Sequence, residues 1–202
     1  DAPWLPFDPS RTALAGHDAA VGFAYQGTPL FASLQLRETS PGFEANDLGY
    51  LSRADARSVA AAVGATHDAS SGLVRDARVT AYTLNAWNFG GAGFAHELGA
   101  TSSLQLHSFW NVIARASWQP ALLDDRLTRG GPTVRVPPRW GASGGVTTDG
   151  RRRVIGGATA SAARLPLGAA ARAASVSVTL RPSPSLQLSL APTLDALRDP
   201  AQ

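Results

Sequence analysis

The chain contains no cysteine, which excludes a disulfide framework, a thiolate metal site and a cysteine nucleophile. It contains no lysine either, so its basic character rests on 18 arginines and amounts to a net charge of only +3. Apart from Arg151-Arg152-Arg153 these arginines are scattered, and that triplet reads as a solvated or headgroup-facing turn. A nucleic-acid partner is not expected, because no basic face with interleaved aromatics is visible. Charge of either sign is scarce, at 16% of residues, against about 25% in a typical soluble domain. Long hydrophobic runs are also missing, and nothing approaches the roughly 18 to 20 apolar residues of a transmembrane helix. There is no methionine, and no basic and apolar leader precedes Asp1-Ala2-Pro3-Trp4. The chain is therefore expected to be a fragment or processed product of a longer polypeptide, forming a single domain over residues 1–202.

Low charge without a helical span leaves two classes: a soluble all-β domain rich in Ser, Thr and Ala, or a transmembrane barrel whose apolar residues are diluted by alternation. Period two dominates. Leu98, Ala100, Ser102, Leu104 and Leu106 share one parity, and Glu97, Gly99, Thr101, Ser103, Gln105 and His107 the other. Trp110, Val112, Ala114, Ala116 and Trp118 repeat the pattern, with Ile113 breaking the polar parity. The same alternation runs through Leu30–Leu36, Ala174–Leu180 and Leu186–Leu194, where Pro192 interrupts it. Four segments are less regular: 59–65 (also readable as an Ala-rich helix), 79–87, 140–148 and 154–165. All four are expected as strands from their spacing between turn signals.

The connections alternate between short and longer along the whole chain: 26–29 short, 39–55 long, 68–72 short, 88–93 longer, 107–109 short, 120–138 long, 149–151 short, 166–172 longer, 182–185 short. A meander whose two ends face different compartments has this pattern, whereas Greek-key crossovers give no reason for it. Several segments also reach the about nine to eleven residues needed to span a bilayer. Tyr25, Trp87, Phe89, Phe94, Phe109, Trp110, Trp118 and Trp140 fall near expected strand ends, where amphipathic rings favour a membrane–water interface. The rival reading is that these rings pack in a sandwich core. The expected fold is thus all-β: an up-and-down antiparallel transmembrane β-barrel of about ten strands, part of a larger barrel. The polar parity faces the lumen and outer-membrane lipid is the partner of the apolar parity.

Four segments resemble recurrent stretches of a large bacterial family: 40–55 (SPGFEANDLGYLSRAD), 85–91 (NAWNFGG), 124–132 (DDRLTRGGP) and 198–202 (RDPAQ). In that family a domain of unknown function follows an N-terminal module like the family 9 carbohydrate-binding modules. The resemblance implies a C-terminal β-barrel in the outer membrane of Gram-negative bacteria. It supplies no characterised activity. The N-terminal module is absent from this chain, so any glycan partner would be reached through that missing part. The chain ends at Gln202 without the terminal aromatic usual for such barrels, so at least one further strand is expected in the parent.

Candidate ligand-binding residues cluster in the two long loops. Asp124, Asp125, Arg126 and Arg129 form the most charged one, suited either to a luminal constriction that contacts a sugar or polyanion, or simply to Asp–Arg pairs that order a turn before Gly130-Gly131-Pro132. Glu44, Asp47 and Arg53 lie in the other, whose oxygen ligands do not match the helix-loop-helix calcium spacing. His17, His67, His96 and His107 show no metal-ligand spacing. No metal, cofactor or catalytic residue is assigned. The expected function is a pore, or a membrane anchor for a glycan-binding module. A soluble all-β carbohydrate-binding module and an envelope hydrolase are the alternatives.

Overall fold

The computed structural model describes residues 15–43, 53–124, 132–165 and 168–198. The described chain is all-β, and its strands run up and down in antiparallel order. They are β1 (Asp18–Gln26), β2 (Leu30–Thr39), β3 (Ala56–Asp68), β4 (Val74–Trp87), β5 (Gly93–Leu106) and β6 (Asn111–Gln119), followed by the short β7 (Leu122–Asp124) and β8 (Val134–Val136). Then come β9 (Arg139–Thr147), β10 (Val154–Arg164), β11 (Ala170–Ser183), β12 (Leu186–Leu190) and β13 (Thr193–Arg198). One sheet takes them in the order β1-β2-β3-β4-β5-β6-β9-β10-β11-β12, with β13 also on β11. Among the described residues β1 and the β12–β13 pair are the two edges, and they are not paired to each other.

All four irregular segments are strands. The Ala-rich segment 59–65 is a strand because Val59, Ala61, Val63 and Ala65 lie opposite Leu36, Leu34, Ala32 and Leu30. Those branched side chains cover small partners on a pleated surface, and this tertiary pairing outweighs the helix propensity of alanine. Two further features stand out, the first expected from Pro192 and the second not. The last strand is split in two at Ala191-Pro192, although the Pro192 carbonyl still accepts from the Val176 amide. A proline has no amide to give the ladder, so the strand breaks there. The long connection between β6 and β9 also carries its own ribbon, β7 with β8.

Turn chemistry explains two of the connections, one at each end of the sheet. Between β4 and β5, the Asn88 carbonyl accepts from the Gly91 amide and its side-chain oxygen from the Ala92 amide at 2.8 Å. Gly91 adopts φ of 84° there, a conformation costly for any residue with a Cβ. Between β9 and β10, Asp149 Oδ1 accepts from the Arg151 amide at 3.0 Å, in the manner of an Asx-turn.

The sheet has almost no core. Among the described residues only Phe31 and Ala86 are buried apolar side chains. Register sorts the rest into two faces. On one, row after row is apolar: Phe23, Leu34, Ala61, Thr83, Leu98, Trp118 and Trp140 are successive cross-strand partners from β1 to β9. Three rows further on, Leu104, Val112, Val146, Ala158 and Val176 continue the same face from β5 to β11. This face is open to its surroundings: Phe23 is 62% exposed, Val176 56% and Leu194 74%. Monomeric soluble proteins rarely leave contiguous apolar patches larger than a few hundred Å² uncovered.

Candidate functional site

The opposite face carries the polar parity, interrupted by Leu84, Ile113, Ile155 and Leu197. Two glycines on it let aromatic rings lie flat against the sheet. Phe31 covers its cross-strand partner Gly64, and Tyr82 covers Gly99. A Cβ at either glycine would collide with the ring. Flattened in this way, Tyr82 donates its hydroxyl to Glu97 Oε1 at 2.8 Å and accepts from Arg115 Nη2 at 3.4 Å. The second oxygen of Glu97 accepts from Gln119 Nε2 at 2.7 Å, and Gln119 Oε1 in turn accepts from Arg139 Nε. A continuous ladder of polar side chains thus crosses β4, β5, β6 and β9. On β1 and β2 of the same face, Asp18 receives both Arg37 (2.8 Å) and Thr39 (2.8 Å).

Beside this ladder a hollow of about 510 Å³ opens over β5, β6, β9, β10 and β11, with Thr101, Arg115, Ser143, Thr159, Ser161 and Ser175 among its walls. Its hydroxyls are short and uncharged, and Thr159 and Ser175 hydrogen-bond each other at 2.7 Å. Ile113 and Ala173 stand among these hydroxyls, and among the described residues the hollow presents no nucleophile with an adjacent base. Among the described residues no group of three or more His, Asp and Glu side chains is placed to hold a metal ion. No described helix is long and apolar enough to cross a membrane, which leaves crossing by strands untouched.

Of the sequence-expected loop residues, Arg53 stacks its guanidinium 3.5 Å above the Phe94 ring and Asp124 ends the β7 ribbon strand. Glu44, Asp47, Asp125, Arg126 and Arg129 lie outside the described residues. The expected aromatics fall into two levels. Tyr25 and Trp110 stand at the short-turn end, 63% and 43% exposed, on the apolar face or at its edge. Trp87, Trp118 and Trp140 stand at the long-loop end, with Trp118 and Trp140 as direct cross-strand partners. Phe89 lies in the β4–β5 loop beneath Arg57, 4.0 Å from its guanidinium. The eight residues from Trp110 to Trp118 correspond to roughly 26 Å along the strand direction.

The two rims also differ in charge. At the short-turn end Arg75 and Arg151 stack on Phe109 (4.8 and 3.2 Å). Asp149 is held there by hydrogen bonds from the Arg151 guanidinium and backbone amide, with Arg152 adding charge at 3.4 Å. Those contacts keep its carboxyl well below the usual carboxylate range. At the long-loop end the apolar face turns polar on β1 to β4, where Glu38 bridges His17 (2.8 Å) and Arg57 (2.7 Å). Sequence reasoning did not single out the ladder or the Glu38 bridges, because their members lie 15 to 33 residues apart. Strand register would have brought them together.

Fold and faces together define a class: an all-β, single-layer antiparallel meander with one polar and one uncovered apolar surface. In comparison with known proteins, the chain matches no family model, no curated protein and no solved structure.

Proposed function

We propose that this chain is the strand meander of a transmembrane β-barrel in a bacterial outer membrane, serving as a pore or as the membrane anchor for a glycan-binding module. The observation that carries the reading is the apolar face, kept in register across the sheet yet left uncovered. In water that face has no stabilising partner; in a bilayer it is solvated by acyl chains while the backbone is paired within the sheet, as lipid requires. Three further observations support it. The main strands run 9 to 14 residues, β12–β13 excepted; the two long connections, 40–55 and 120–138, leave the same end of the sheet; and the aromatics form two levels about 20 Å apart along the axis at a strand tilt of about 40°, close to the height of an apolar barrel band. The polar ladder and the hydroxyl-lined hollow then face a watery lumen. Closure of the two edges, within this chain or through further strands of its parent, completes the barrel.

Fractionation of cell envelopes tests the location, and heat-modifiable migration on gels tests the barrel. The full protein is expected in the outer-membrane fraction, migrating faster unheated than heated, and to conduct ions in planar bilayers if it is a pore. A monodisperse protein without detergent would instead favour a soluble carbohydrate-binding module, for which the exposed Trp118–Trp140 pair offers a stacking platform.

A further inference from the structure

On the outward, apolar parity of β9, β10, β11 and β13, three cations stand together. Arg164 is opposite Ala170, and Ala170 is opposite Arg198, so one row across three strands carries an arginine at each end. Arg172 sits one row below, between them, opposite Ala162 and Ala196. Diagonal neighbours of this kind are about 7 to 8 Å apart, and two strand spacings separate Arg164 from Arg198 by about 10 Å. All three are exposed, and no described carboxylate bridges any of them. The outward parity of these strands carries no acid: Asp195 lies opposite Ala173, on the polar face. Three carboxylates elsewhere on the sheet do meet arginines. Glu38 has Arg57, Asp18 has Arg37, and the Arg151–Arg152 turn has Asp149. The row continues from Arg164 into Trp140 and Trp118, so the arginines share the long-loop end of the sheet with these indoles.

We infer that Arg164, Arg172 and Arg198 form a docking site for the phosphate headgroup of a membrane lipid on the outer wall of the barrel. The inference rests on the barrel reading. Unanswered guanidiniums on a lipid-facing wall are costly, but their long stems reach the interface while the apolar part stays in contact with acyl chains. A planar guanidinium grips phosphate oxygens through paired N–H donors. Three of them within 10 Å suit a phosphate carrying more than one negative charge, while the neighbouring indoles lie along the upper part of its chains.

The test uses the full chain in nonionic detergent, equilibrated with equal amounts of dipalmitoyl phosphatidic acid and dipalmitoyl phosphatidylcholine. Native mass spectrometry reads the lipid retained. The wild-type protein is expected to retain phosphatidic acid preferentially. The preference should fall roughly fivefold for each of Arg164→Gln, Arg172→Gln and Arg198→Gln, and stay unchanged in an Arg181→Gln control, whose guanidinium already bonds Gln187 and the Gly150 carbonyl. Equal retention of the two lipids by a protein with intact heat-modifiable migration overturns the site. So does an unchanged preference in the triple variant, or displacement of the lipid by an equal concentration of inorganic phosphate, which would mark a free-anion site. Absence of heat-modifiable migration in the wild type refutes the barrel itself, and the docking site with it.

Discussion

An arginine placed on the apolar face midway between the two aromatic levels distinguishes a lipid-facing surface from a merely uncovered one. Ala114 is that position. It lies four residues from Trp118 and four from Trp110, about 13 Å along the strand each way, and a strand tilt of about 40° leaves it roughly 10 Å below either level. It is exposed, with Ser102 and Gly144 as cross-strand partners, so a longer side chain meets no packed neighbour. In water Ala114→Arg would change stability by no more than about 0.5 kcal/mol. At a bilayer midplane it costs about 2 to 4 kcal/mol, which lowers the folding equilibrium constant by roughly 30-fold to 1,000-fold. The matched control is Ser177→Arg, on the polar face opposite Gly157, where an arginine enters the lumen and should change little. Both are measured as urea-dependent folding into phosphatidylcholine vesicles, followed by tryptophan emission and gel migration. If Ala114→Arg folds within about 0.5 kcal/mol of wild type while Ser177→Arg is the costly change, the assignment of faces is inverted and the argument fails.

Three other outcomes are expected. Gly99→Ala pushes the Tyr82 ring off the sheet and breaks its bond to Glu97; a loss of about 1 to 3 kcal/mol in the same folding assay, with Tyr82→Phe costing about 1 kcal/mol, would locate that loss in the ladder, whereas a neutral Gly99→Ala would refute the contact. Asp149 has a depressed folded-state pKa, so its stabilisation of the β9–β10 turn is fully present above the ordinary aspartate value of about 3.9 and is lost as pH falls below that value towards the folded pKa. Amide protection of Arg151 and Arg152 should hold at about pH 5 and decay in stronger acid, and Asp149→Asn should abolish that decay; protection independent of pH in the wild type would contradict the turn geometry. Finally, phospholipids brominated near the headgroup should quench the emission of Trp118 and Trp140 more strongly than lipids brominated at the chain end, and the reverse order would remove the aromatic levels from the interface.

What could be read from the sequence and what could not divide along one physical line. Alternation is local, so β2, β5, β6 and β11 were visible from their own residues, and the turn residues Asn88, Asp149 and Pro182 marked where each strand had to end. Even the Ala-rich β3 was recoverable from its spacing. Alternation is also symmetric: it separates Leu98 from Gly99 without saying which of them faces outward. Register is not local at all. The β7–β8 ribbon rests on three residue pairs across a loop, and the Tyr82–Glu97–Gln119–Arg139 ladder on four strands brought into line. The expected ligand residues were chosen for charge density in loops, yet the polar structure that the sheet builds uses residues single and dispersed in the chain. The arginines on the apolar face show the same logic most sharply. Read singly, Arg164, Arg172 and Arg198 are flaws in three apolar strands; only the pairing of both Arg164 and Arg198 with Ala170 turns three flaws into one positively charged patch.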